Sequence, residues 1–83
     1  MIKATQDQAK AIQSYSRYVV DCAFYEDHIL KLALEKQPQA SIDHWISEAK
    51  HGAALVVDYA DMLGIRHLVP AFIIERHNGT DEA

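Results

Sequence analysis

Between Ser41 and Gly64 the apolar residues Ile42, Trp45, Ile46, Ala49, Ala53, Val56, Val57, Ala60 and Leu63 recur at i, i+3, i+4, i+7 spacing. At about 100° per residue they fall on one broad stripe, the pattern of a helix lying on a core. Ser41 is placed to cap the first turn, with Asp43 near the positive end of the helix dipole. Gly64 is placed to end the helix in the left-handed conformation that a residue with a Cβ resists. The stretch predicts a helix over residues 42–63.

Upstream, Thr5 and Gln8 have capping-box spacing and Asp7 suits the same first turn. No Gly or Pro follows until Pro38, so one long helix is expected over 6–36. Its core stripe is expected to be Ile12, Tyr15, Val19, Ala23, Leu30, Ala33 and Leu34. Glu26 and Asp27 interrupt that stripe. Either the helix bends there, or one carboxylate meets a cation such as Arg66 or His67, because a buried unpaired carboxylate is too costly. Pro38 ends this helix, and the short connector 37–40 makes the two long helices antiparallel neighbours.

After Gly64, the residues Leu68, Val69, Phe72 and Ile73 form a short apolar face, with Pro70 compatible with a first turn and Gly79 with a stop. A third helix over 68–77 competes with an extended segment. A lone strand would have no partner in the chain, so the helix is preferred. Residues 80–83 read as a frayed acidic tail. The expectation is an all-α fold in one domain, 1–83: a long antiparallel helical hairpin with a short third helix, a small three-helix bundle.

Composition narrows the function classes. Hydrophobic residues make up 49% of the 83 and charged residues 24%, a globular balance that argues against disorder throughout. The net charge is −4 and the Lys and Arg residues are scattered, so no direct nucleic-acid partner is expected. Cys22 is the only cysteine, which excludes an internal disulfide and suits a reducing compartment. The start has no apolar signal-peptide region, and no apolar run approaches the ~20 residues that span a bilayer. A cytoplasmic location, in its own cell or a host cell, and no membrane partner are expected.

Candidate chemistry centres on histidine. His44, Glu48 and His51 are spaced i, i+4, i+7 on one helix face, and imidazole with carboxylate suits zinc or iron. Glu48 and His51 also have the Glu-x-x-His spacing of di-iron bundles, but those need the pair twice. His44 and His51 stand two turns, ~10 Å, apart, too far to chelate one ion alone. Solvated or interfacial histidines on a polar face are the preferred reading, and no metal or cofactor is assigned. Asp21, Tyr25 and His28, with Tyr18 beside them, form a similar cluster on the first helix. Both clusters are expected to point away from the core, and so not to converge within one chain. No serine sits in a nucleophile elbow, no glycine-rich loop cradles phosphate, and Cys22 reads as a buried inert thiol. Gly52, costing ~1 kcal/mol against Ala in mid-helix, reads as a point of close helix packing. No enzymatic activity is expected.

Leu55, Tyr59 and Met62, with His51 at the edge, form a second apolar strip on the outer face of the second helix, and Ile29 and Leu32 extend Tyr18 and Tyr25 on the first. A helix with two apolar stripes needs two partners. The short third helix and the connector cover part of this surface, and the remainder has the mixed character of an association site. The function expected is a small non-catalytic interaction module, a regulator, inhibitor or adaptor, of the kind that phages and other mobile elements often encode. Its partner is a protein of unknown identity, with a homodimer favoured and with His51, Leu55, Tyr59, Met62, Tyr18 and Tyr25 as binding residues. The competing reading is a metal or small-ligand binder that joins His44, Glu48 and His51 across a dimer.

Overall fold

A computed structural model describes residues 6–79. The first helix, α1, runs without a break over Gln6–Leu34, and the second, α2, over Gln39–Leu63. A single 3-10 turn, Arg66–Leu68, leads to α3, Ala71–His77. The two long helices pack as an antiparallel hairpin and α3 folds back mainly on α2. The architecture is all-α, a small three-helix bundle. Thr5 and residues 80–83 lie outside the described residues.

Backbone chemistry at the helix ends explains the boundaries. Past α1, Lys36 takes a positive φ of 57°. Its N–H donates to the Ala33 carbonyl and the Gln37 N–H to that of Leu32. This is a Schellman ending, and it turns the chain before Pro38 is reached. Pro38 instead precedes α2 as its N-cap residue, and its carbonyl accepts from the Ser41 N–H at 3.0 Å. Ser41 is therefore inside the helix rather than capping it, and the first turn gains a side-chain bond from Gln39 Nε2 to Asp43 Oδ1. The far end of α2 repeats the Schellman pattern with the expected residue. Gly64 sits at φ 71°, its N–H donating to Ala60 and Asp61 carbonyls, and Ile65 N–H donates to Ala60 at 2.8 Å. Pro70 in turn precedes α3, so the third segment divides into a 3-10 turn and a helix on either side of it.

The core is built from small residues on α2. Ala49, Gly52, Ala53, Val56, Val57 and Ala60 are buried, and Cys22, Val69 and Ile73 close over part of that row. Tyr15, Tyr18, Val19, Ile65 and Ile74 pack around its edge. Gly52 marks the closest approach of α1. A Cβ there would lie 3.2 Å from Tyr25 Cε2 and 3.3 Å from Cys22 Sγ. The α2 stripe was thus correctly read from periodicity.

The α1 stripe holds only at Tyr15 and Val19, which are half-buried against this core. Its buried positions are Ala11 and Cys22, and Ile12, Ala23, Leu30, Ala33 and Leu34 are exposed. The helix is turned by roughly a quarter turn from the expected orientation, so that Tyr18, Cys22, Tyr25, Ile29 and Leu32 face α2. Glu26 lies on the flank of that inner face. Arg76 Nε and Nη2 donate to its two carboxylate oxygens at 2.7 Å each, from α3. The carboxylate thus meets a cation, but Arg76 rather than Arg66, which reaches Asp61 at 3.3 Å. No bend is needed, and Asp27 is left exposed.

Candidate functional site

The turned α1 brings the two histidine-bearing clusters together inside the chain. Tyr18 stacks on Tyr59, with ring centroids 5.8 Å apart and planes 18° apart. Tyr25 lies 6.0 Å from Trp45 in a tilted contact. His28 from α1 and His44 from α2 both meet the Trp45 ring edge-on, at 4.7 and 5.4 Å. The expectation that these clusters point apart is corrected. Tyr18, Tyr25 and His28 of α1 meet Trp45 and Tyr59 of α2 along the side where the helices face each other, and one tryptophan collects both histidines. Offset and edge-to-face ring contacts of this kind stabilise the seam beyond what the buried area alone contributes.

This seam also changes the strip on α2. Tyr59 has one face on Tyr18, Leu55 and Glu48 are half-buried, and His51 and Met62 are exposed, Met62 at 71%. The residues 51, 55, 59 and 62 therefore flank the helix seam instead of forming an independent outer face. Among the described residues, no three His, Cys, Asp or Glu side chains come close enough to hold a metal ion.

Protonation chemistry in the seam follows burial. The Cys22 thiol is raised from 9.0 to about 11, first because burial penalises the thiolate and then because Asp21 and Glu26 repel it. Such a thiol is neutral and a poor nucleophile at physiological pH. Burial, followed by the Asp21 and Glu48 carboxylates, also pushes the Tyr25 hydroxyl up. Both groups are held in their protonated, uncharged forms.

Set against known protein families, curated proteins and solved structures, the chain gives no significant match. Its surface must therefore be read from its own residues.

Among the described residues, an extended exposed apolar row lies on the outer face of α1, opposite the seam. Val20, Phe24, Leu30 and Leu34 are 54%, 67%, 58% and 75% exposed. Ala23 and Asp27 lie between them, and Phe72 of α3 borders the groove that Ala23, Glu26, Asp27 and Leu30 line. Toward the hairpin end, Phe24, Asp27, Leu30, Lys31 and Leu34 line a second open depression. Sequence reasoning had placed Ala23, Leu30 and Leu34 in the core and had not singled out Val20 or Phe24. The signal was present. Val20, Ala23, Asp27, Leu30 and Leu34 follow alternating three- and four-residue steps, the seam spacing of paired helices.

Proposed function

We propose that this chain is a small non-catalytic protein–protein interaction module, a regulator, inhibitor or adaptor, that docks through the outer face of α1. The observation that carries the reading is the exposed row Val20, Phe24, Leu30 and Leu34, continuous along the helix and bordered by Phe72. Apolar rows of this extent on a small domain mark association sites. Burying each of these side chains contributes roughly 1.5–3 kcal/mol, enough for a few anchors to dominate an interface. The rim residues Asp27, Lys31 and Glu35 supply charges that select a partner rather than bind it strongly. His51 and Met62 lie on a separate, smaller exposed area beside the seam.

The test is a photo-reactive amino acid placed at Phe24 in living cells, with Met62 as the comparison position. Discrete crosslinked species are expected from position 24, and they should disappear when Leu30→Asp is added. Leu30 is exposed, so the substitution should leave helicity and melting temperature nearly unchanged. An absence of any adduct at position 24, or adducts indifferent to Leu30→Asp, would count against the reading.

A further inference from the structure

The row on α1 carries its own complement. Asp27 and Lys31 are both exposed, one turn apart, on the face that bears Phe24, Leu30 and Leu34. Asp27 occupies a seam position between apolar residues, where a docked helix must supply a cation or leave a carboxylate poorly solvated. We infer that the occupant of this face is a second copy of this chain, its α1 antiparallel to the first about a two-fold axis at the level of Ile29, with Asp27 of each copy against Lys31 of the other. The inference rests on the reading of this face as a docking surface and names what docks there.

Register follows from the placement of charges. In an antiparallel pair, residues equally far before and after the axis lie opposite each other. An axis at the level of Ile29 sets Asp27 against Lys31 twice and Phe24 against Leu34 twice, with Leu30 meeting its own counterpart beside the axis. The competing arrangements fail on the same residues. A parallel pair in register sets Asp27 against Asp27 and Lys31 against Lys31. An antiparallel pair centred on Asp27 brings two carboxylates together in an apolar seam. Like charges so placed are strongly disfavoured, and a single polar seam position is a known means of fixing register. The paired row from Phe24 to Leu34 covers ~15 Å of helix, about three turns of contact. Two-fold pairing uses the same patch on both chains, so the assembly closes as a dimer.

Charge reversal tests this inference. Asp27→Lys alone and Lys31→Asp alone should each weaken the dimer about tenfold in sedimentation equilibrium, because both attractive pairs become repulsive. An equimolar mixture of the two variants should restore wild-type association as a heterodimer, since each chain supplies the charge that the other lacks. The milder Asp27→Asn and Lys31→Gln, which introduce no repulsion, should give smaller losses and guard against misfolding of the reversed variants. Three results would overturn the proposal: a wild-type chain that stays monomeric at hundreds of micromolar, a Lys31→Asp dimer as tight as wild type, or a mixture no tighter than its components. A monomeric chain that still crosslinks another protein from position 24 would remove the second copy as occupant and leave the docking face standing. No adduct at all would remove both.

Discussion

At the residue scale, Gly52 decides how closely the hairpin closes. Alanine there gains ~1 kcal/mol of helix propensity. Its Cβ, however, would stand 3.2 Å from Tyr25 Cε2 and 3.3 Å from Cys22 Sγ. Cys22 is fixed in the core and the Tyr25 ring is held against Trp45, so neither can retreat freely. Overpacking of this kind costs ~1–3 kcal/mol, and Gly52→Ala is expected to lower stability by about 1 kcal/mol net. Chemical denaturation measures it, and a higher denaturation midpoint would show that the seam has slack. Cys22 gives a second residue-scale expectation. Its folded pKa of about 11 lies above the ordinary 9.0, so the unfolded chain releases the proton first as pH rises. The associated stability is therefore complete below pH 9 and lost as pH rises toward 11. The loss is ~2–3 kcal/mol by linkage. Denaturation at pH 8 and pH 11, compared between wild type and Cys22→Ala, isolates it: the variant should show the smaller decline.

At the scale of elements, both hairpin helices end in the same hydrogen-bonded motif, but with different residues in the left-handed position. Gly64 occupies it at no steric cost. Lys36 occupies the equivalent place after α1 at φ 57°, where a side chain is strained by ~1–2 kcal/mol. Lys36→Gly should therefore stabilise the protein by ~0.5–1 kcal/mol, the strain relieved being partly offset by the greater freedom of glycine in the unfolded chain. A rise in melting temperature is the expected reading, and a fall would mean that the lysine side chain contributes more than its backbone conformation costs. The third element is anchored differently. With only the seven residues of α3 to pack, its position depends on buried Ile73 and on the bidentate pair between Arg76 and Glu26. That pair ties α3 to α1 across a distance in sequence that no local pattern encodes.

At the scale of the whole molecule, shape accounts for the exposed apolar row. The chain measures 51 × 20 × 15 Å with a radius of gyration of 14.6 Å. A compact chain of this length would have a radius of about 12 Å. A 29-residue helix is ~44 Å long, so α1 runs along most of the 51 Å length of the molecule. One face of it is closed by α2 and a flank by α3, and among the described residues the opposite face is left exposed at Val20, Phe24, Leu30 and Leu34. The core beneath is thin: Ile73 and Val56 are the largest side chains that are fully buried, and the rest of the α2 row is alanine, glycine and valine. Small residues allow close approach but bury little area, which makes the apolar surface outside the hairpin large relative to the core within it. A second layer against α1 would correct that imbalance.

The sequence by itself determined the elements. A period near 3.6 over α2, the Gly64 stop and the short link between two long helices are local signals, and local physics suffices to read them. It also determined that α1 has two apolar stripes. Which stripe faces inward was not legible, because Ile12, Leu30 and Leu34 on one side and Tyr18, Tyr25, Ile29 and Leu32 on the other are comparably apolar. The choice lies in the fit between helices: the gap at Gly52 receives Cys22 and Tyr25, Tyr59 receives Tyr18, and Trp45 receives His28. Only the tertiary structure therefore turned the bulky aliphatic residues of α1 outward. Periodicity places residues on a face, but complementarity of shape with another element decides which face becomes the core.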